Sequence, residues 1–302
     1  MEEVLSSSAD FSTTRRLVKN PPTCENSNSL LFISNYENAS EDGGLRKKGY
    51  FKSTTSDEPL LTVITVIFNG QDFLEETILS VINQPYSNVE YIIVDGGSKD
   101  GTLNIIKKYE YAIDYWVSEK DSGIYDAMNK GLSLASGRWI NFMNAGDSFL
   151  KGKLEIIMEV LKNSSESVVY FNAVDLDGRV VGDNDIKCIR YDTVGVHQGF
   201  FIDSSVHKSY PYDLDYRIKA DREFFVKIYL KNYKFKYCDI NVCLYDLDGI
   251  SGVNIPLKEK ENIRINLKYK LYTPFLVKSI LKIILHFVWV KVLKNDWAQL
   301  KK

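Results

Sequence analysis

The chain is poor in the residues that build metal cages and disulfide frameworks. Its 302 residues include four cysteines, Cys24, Cys188, Cys238 and Cys243, with no Cys-x-x-Cys pair, and none of its three histidines lies within ligand spacing of them. That pattern fits neither a zinc site nor a disulfide-held domain and points to a reducing compartment. The start, Met1-Glu2-Glu3-Val4-Leu5-Ser6-Ser7-Ser8, has no basic region followed by an apolar core, so no secretory signal is expected. No uncharged apolar run reaches the ~18–20 residues that span a bilayer. No charge sign dominates either: the formal net charge is −2, which gives no reason to expect a nucleic-acid partner. There are no internal repeats.

What the chain does have is alternation. Leu61 to Phe68 is a strongly β-branched run, turned by Asn69-Gly70, and Asp72 is placed to cap a helix through Phe73, Leu74, Thr77, Ile78, Val81 and Ile82. Val89 to Val94 is a second apolar run, of the kind buried on both faces of a parallel sheet. It stops at Asp95, and Gly96-Gly97-Ser98-Lys99-Asp100-Gly101 permits a tight turn before a short helix over 103–109. A third strand is expected at 114–117, a helix over 124–135 closed by Ser136-Gly137, and a fourth strand at 138–143 ending in Asn144-Ala145-Gly146-Asp147. Strand and helix alternating in this way predict an α/β fold with a mostly parallel central sheet flanked by helices.

The second half is more mixed. It predicts a helix over 154–161, a strand at 168–171, a hairpin turn at Asp177-Gly178 before Val180-Val181, a helix over 220–230, and two strands at 235–237 and 242–245. Residues 1–58 lack periodicity and read as a partly flexible N-terminal extension, with one short strand at Leu30-Leu31-Phe32-Ile33. The domain proper is expected over 59–255 and a basic amphipathic helical tail over 256–302.

Acids at the carboxyl ends of parallel strands share one edge of the sheet, so Asp95, Asp121 and Asp147 should converge where open α/β sheets bind ligands. Three such acids, with no Ser-His-Asp or Cys-His pairing, suggest a phosphate-bearing ligand held through Mg²⁺ or Mn²⁺. Asp147 is the best metal-ligand candidate, the alternative being a solvated loop acid. Asp95 is placed to accept hydrogen bonds from a base or ribose, the alternative being a cap for its own turn.

Residues 59–252 resemble glycosyltransferase family 2, which has the GT-A fold. The resemblance is carried by Val63-Ile64-Thr65-Val66-Ile67-Phe68-Asn69, by Val94-Asp95-Gly96-Gly97-Ser98-Lys99-Asp100-Gly101-Thr102, and by Asn129-Lys130-Gly131 with Ala135-Ser136-Gly137. Ser118 to Gly131 is similar to a bacterial subgroup that builds exopolysaccharide, capsule and O-antigen units. The resemblance implies an inverting, metal-dependent transferase. A nucleoside-diphosphate sugar would lie against Phe68, Asn69, Asp95, Gly96, Ser98, Asp121, Asn129 and Lys130, with Asp147 holding the divalent cation on its diphosphate. Asp221 matches the family's base, and Glu223, one helical step away, is placed to share the role. His197, Gln198 and Ser251 match motifs expected on the acceptor or diphosphate side.

The chain departs from the family in two places. Asn144 and Gly146 dilute the metal motif, and Ala220 stands where the family usually has Glu. Asp221 read without the family is a helix N-terminal acid favoured by the dipole, and His197 a core histidine. A degenerate binding or scaffold subunit is the alternative function. A sugar-phosphate nucleotidyltransferase is a second alternative, but it needs a basic Gly-rich loop after the first strand, where this chain has Asn69-Gly70-Gln71-Asp72. A dinucleotide oxidoreductase would want Gly-x-Gly-x-x-Gly there.

From Lys258 onward there are eleven Lys and Arg against Glu259, Glu261 and Asp296, a surplus of eight, which leaves the rest near −10. Between Phe275 and Trp289 the apolar residues are interrupted by Lys278, Lys282 and His286 at four-residue spacing. Such a helix either lies on an anionic membrane surface or packs on the protein's own core. The resemblance implies a saccharide or polyprenyl-linked acceptor, hence a cytoplasmic enzyme, peripheral at the inner face of the cell membrane.

Overall fold

The computed structural model describes residues 10–19, 30–33, 41–245, 255–271, 277, 280–283 and 285. In chain order the elements are strands β1 (Val18–Lys19), β2 (Glu41–Gly43), β3 (Tyr50–Phe51) and β4 (Leu61–Ile67), helix α1 (Leu74–Ile82), β5 (Val89–Asp95), α2 (Thr102–Lys108), β6 (Tyr115–Ser118), α3 (Ile124–Leu134), β7 (Trp139–Phe142), β8 (Ser148–Phe149), α4 (Lys153–Lys162), β9 (Val168–Val174), β10 (Val180–Val181), β11 (Phe200–Asp203), α5 (Ser204–Ser209), α6 (Ala220–Leu230), β12 (Phe235–Leu244) and α7 (Ile255–Lys268).

The main sheet runs β2-β6-β5-β4-β7-β11-β9-β12-β8, with β10 on β9. Its heart, β6-β5-β4-β7, is parallel, as the β-α alternation predicts. Strands β4 and β5 are buried along their whole length, because both faces are covered. Ile64, Val66, Ile92 and Val94 face the layer of α3 and α6. Val63, Ile67, Tyr91 and Ile93 face the layer of α1 and α4. Each such buried aliphatic side chain contributes about 1.5–3 kcal/mol, which explains why these mostly apolar runs fold as central strands. This is the expected α/β architecture.

Several local expectations are corrected. Asp72 does not cap α1: the N-cap residue is Phe73, and no side chain caps the helix. The Gly70 carbonyl instead accepts the N–H of Leu74 at 3.1 Å. Leu30 to Ile33 forms a bend, not a strand, tied to α3 by the Leu30 N–H on the Ser133 carbonyl at 2.8 Å. The two strands expected at 235–237 and 242–245 are one, β12, whose register against β9 shifts between Cys238 and Asn241 and again between Asn241 and Cys243.

Where it is described, the N-terminal segment is built into the domain. Strand β2 extends the sheet beside β6. Arg46 is buried and meets Glu90 of β5 at 2.6 Å. Glu90 also accepts the Thr62 hydroxyl at 2.5 Å and the Ser136 N–H at 2.8 Å. Burial pushes the Glu90 carboxyl up, but Arg46, Ser136 and Thr62 outweigh it and hold it below the ordinary range.

Helix α7 starts near the boundary expected after residue 255, and it locks onto α6 through polar side chains. Arg222, wholly buried, reaches the side chains of Asn262 at 3.3 Å and Asn266 at 2.8 Å.

Candidate functional site

Four strand ends meet at one edge of the sheet. Ile67 stands in register with Asp95, and Asp95 with Ser118. Strand β7 lies on the other side of β4, so the winding reverses there, and the loops after β4, β5, β6 and β7 open into the crevice that a reversal leaves.

Asp95 is wholly buried. Its carboxylate accepts the Ser98 N–H at 3.1 Å, the Ser98 hydroxyl at 2.5 Å and the Ser118 hydroxyl at 2.6 Å. It therefore caps its own turn and fastens β5 to β6. The Asn69 N–H donates to the Ser98 hydroxyl at 2.7 Å, and the Asn69 Oδ1 accepts the Lys99 N–H at 2.9 Å. Ser98 and Asn69 thus knit the first two loops together. Phe68 beside them is 61% exposed, an open ring at the mouth of the crevice.

Gly96 has no room for a side chain: a Cβ would come within 2.5 Å of the Asp121 Oδ2. The Asp121 carboxyl therefore lies directly against the β5 turn, and the expected convergence of Asp95 and Asp121 is seen. Burial pushes the Asp121 carboxyl up, opposed by the Gly123 N–H and Lys130.

Asn129 and Lys130, expected against the nucleotide, brace the walls of the crevice. The Asn129 amide makes two 2.9 Å bonds to the backbone of Tyr212. Lys130 meets Glu119 at 2.7 Å and Asp126 at 3.7 Å, which holds the loop around Asp121 to α3.

Asp147 is buried at the end of β7. Its N–H donates to the Asn144 carbonyl at 3.1 Å, and its carbonyl accepts the Thr77 hydroxyl at 2.8 Å. The amide of Gln198 donates to its carboxylate. The Asn144 amide nitrogen lies 2.8 Å from the His197 Nε2, within hydrogen-bond distance. Burial lowers the His197 ring below its usual range, and Asp221 opposes it. His197 and Gln198, on a 3₁₀ turn before β11, thus close over the loop that carries Asp147.

The chemistry of this corner fits a hard divalent cation. Asn144 Oδ1 and Gln198 Oε1 are buried oxygens with no hydrogen-bond partner, on side chains that adjoin Asp147. Among the described residues no three His, Cys, Asp or Glu side chains come together. The protein thus offers one carboxylate and amide oxygens, the pattern of an ion that shares its shell with phosphate.

Asp221 lies in the first turn of α6. The Tyr125 hydroxyl, from the first turn of α3, is 3.0 Å from its Oδ1 and 2.8 Å from the Ile218 carbonyl. Tyr125 is pushed well above its usual range, first by burial and then by Asp221. Lys219 is buried, its ammonium donating to the Thr193 hydroxyl at 2.8 Å. Burial lowers Lys219, and Asp221 and Asp192 oppose that.

Glu223 is wholly buried on the other side of α6, where it meets Lys227 at 3.0 Å, Lys268 at 2.8 Å and the Tyr269 hydroxyl at 2.5 Å, contacts that anchor α7. Ser251 lies outside the described residues. Sequence reasoning missed Tyr125, whose only signal was its place in the Asp121-Ser122-Gly123-Ile124-Tyr125 motif. It also missed Glu261, which gave none: its carboxylate accepts the N–H groups of Arg217, Ile218 and Lys219 at 2.8, 3.0 and 2.9 Å.

A family model described as glycosyl transferase family 2 matches residues 62–202. An uncharacterized glycosyltransferase of Mycobacterium tuberculosis is 36% identical over 181 residues, 56% of this chain and 68% of that protein. A putative teichuronic acid biosynthesis glycosyltransferase of Bacillus subtilis is 39% identical over 115 residues, 37% of this chain and 45% of that one. Among solved structures, residues 1–349 of S. aureus TarS bound to UDP-GlcNAc give a TM-score of 0.57 at 17% identity, over 80% of this chain and 75% of that one. A mannosyltransferase from Pyrobaculum calidifontis, with GDP-Man and Mn²⁺, gives 0.55 at 16% identity over 82% of each chain. These structural likenesses carry the GT-A fold.

Proposed function

Since the chain belongs to glycosyltransferase family 2, we propose that it transfers a sugar, with inversion, from a nucleoside-diphosphate sugar to a hydroxyl of a saccharide acceptor in cell-surface polysaccharide synthesis. The observation that carries this reading is Asp221. Its carboxylate is held by Tyr125, just beyond the Asp121 loop, and it lies close enough to His197, beside the Asp147 loop, to act on its charge. A base there can take the proton of an acceptor hydroxyl as its oxygen attacks the anomeric carbon.

In this reading the donor nucleotide lies along Phe68, Gly96 and Asp121. Asp95, Asn69, Ser98, Asn129 and Lys130 hold the loops that receive it. Asp147, with the free oxygens of Asn144 and Gln198, holds Mg²⁺ or Mn²⁺. When bound, that ion supplies positive charge to the departing diphosphate. Thermal stabilisation by UDP-GlcNAc and GDP-mannose, each with and without Mn²⁺, tests the donor claim. A metal-dependent rise in Tm with at least one, lost in Asp147→Asn, is expected. No rise with either, in the presence of Mn²⁺, contradicts it.

The acceptor in this reading is polyprenyl-linked, and the enzyme works on the cytoplasmic face of the membrane. Among the described residues no helix is long and apolar enough to cross a membrane. Helical residues Val277, Ile280, Leu281 and Leu285 are 43–65% exposed, which supports an apolar face free to enter an interface. Lys282 points the other way, to Glu259 at 2.8 Å. Lys278 and His286 lie outside the described residues. Sedimentation with anionic liposomes tests this: the wild type should bind at low salt, and the Ile280→Asp/Leu281→Asp double variant should not. Equal binding by the two, or no binding by the wild type, contradicts it.

A further inference from the structure

We propose that Tyr125 is the positioning residue of Asp221, holding it in both protonation states by turning one hydroxyl proton between two fixed acceptors. The inference rests on the reading of Asp221 as the base.

A phenol has one proton to donate. The Tyr125 oxygen nevertheless lies within hydrogen-bond distance of two acceptors, Asp221 Oδ1 at 3.0 Å and the Ile218 carbonyl at 2.8 Å. With Asp221 ionised, the hydroxyl donates to the carboxylate. A proton taken from an acceptor hydroxyl onto Oδ1 makes that oxygen a donor, whereas one taken onto Oδ2 leaves Oδ1 an acceptor and the Tyr125 hydroxyl in place. In the first case the Tyr125 hydroxyl swings to the Ile218 carbonyl, and its lone pair accepts the new carboxylic acid. Only hydrogens move, and the Tyr125–Asp221 contact is kept in either state.

The second acceptor stays in place because the strand of chain that bears it is clamped. Glu261 binds the N–H groups of Arg217, Ile218 and Lys219, so the Ile218 peptide is held from α7 on one side and from α3 on the other. Tyr125 is itself fixed: it is buried, and its ring lies 5.2 Å from that of Tyr212, whose backbone Asn129 grips. The groups whose charge acts with Asp221 are Tyr125 on α3, Tyr212, His197, Lys219 and Arg222. Among those described residues, the Tyr125 hydroxyl makes the direct hydrogen bond to its carboxylate.

Tyr125→Phe keeps the ring and removes the hydroxyl. The ¹³Cγ resonance of Asp221, assigned by its loss in Asp221→Asn, can be followed with pH in the full chain without any ligand. Removing a donor to the ionised form should raise its titration midpoint by about one pH unit. The release of UDP from UDP-GlcNAc or of GDP from GDP-mannose, whichever is turned over, should fall ~10-fold or more in kcat with KM unchanged, and its acid limb should move to higher pH. An unmoved midpoint overturns the hydrogen bond. A raised midpoint with wild-type kcat overturns the positioning role. Wild-type turnover in Asp221→Asn overturns the base reading instead, and leaves the raised midpoint standing.

Discussion

Glu261 accepts the backbone N–H of Lys219 at 2.9 Å, two residues before Asp221 and forty-two residues before itself in sequence. One carboxylate on α7 thus organises three consecutive N–H groups at the entrance to α6. Helix α7 therefore supports the chain that leads into the candidate site. Arg222 with Asn262 and Asn266, and Glu223 with Lys268, repeat the attachment along α6.

A chain ending at residue 254 should for that reason be unstable, while one ending at residue 271 should keep the fold. The shorter chain removes the Asn262 and Asn266 partners of Arg222 and the Lys268 and Tyr269 partners of Glu223, and takes Ile265 out of the core. Urea denaturation of the two truncations measures the difference, and equal midpoints would sink the idea.

Arg46→Met should destabilise the protein by about 3–5 kcal/mol, because it leaves Glu90 buried without its cation. Both side chains of the pair are 3% exposed or less. Arg46→Met/Glu90→Gln, which removes both charges, should recover much of the loss. A double variant no more stable than the single one would show that the pair is not the cause.

His207 gives the protein an acid limit. It is wholly buried, stacked on Phe224 at 4.4 Å, and burial lowers its ring from 6.5 to about 4. A depressed value means that the unfolded chain takes up the proton first as pH falls. The stability contributed by the neutral ring is present above pH 6.5 and is lost as pH drops through 4, by up to about 3 kcal/mol. In His207→Phe the fall of Tm between pH 6.5 and 4 should be shallower. Parallel Tm curves for variant and wild type would count against this account.

The sheet and its edge were legible in the sequence because burial on both faces leaves a plain trace. Strands β4 and β5 are mostly apolar, β-branched runs, and each ends at a turn whose glycines and acids mark it. The convergence of Asp95 with Asp121 followed from topology. The direction of individual side chains did not. Asp95 spends its oxygens on Ser98 and Ser118, and Asn129 on Tyr212, because a loop must satisfy its own polar groups first. Glu223 read as a second base because it neighbours Asp221 in sequence. Two positions along a helix turn a side chain to another face, and there Lys268 and Tyr269 claim it. The contacts of Glu261 and Arg46 join segments far apart in the chain, and no local pattern encodes them.

The central claim is that Asp221 is the base of a metal-dependent sugar transfer, and its most direct test is turnover set against donor binding in one substitution. With Mn²⁺ and the sugar nucleotide that raises Tm most, nucleoside diphosphate release and calorimetric donor affinity are measured for wild type and Asp221→Asn. The account predicts an unchanged Kd and a kcat lower by ~10²–10⁴. A variant that binds the donor as wild type does and turns it over as fast would contradict it.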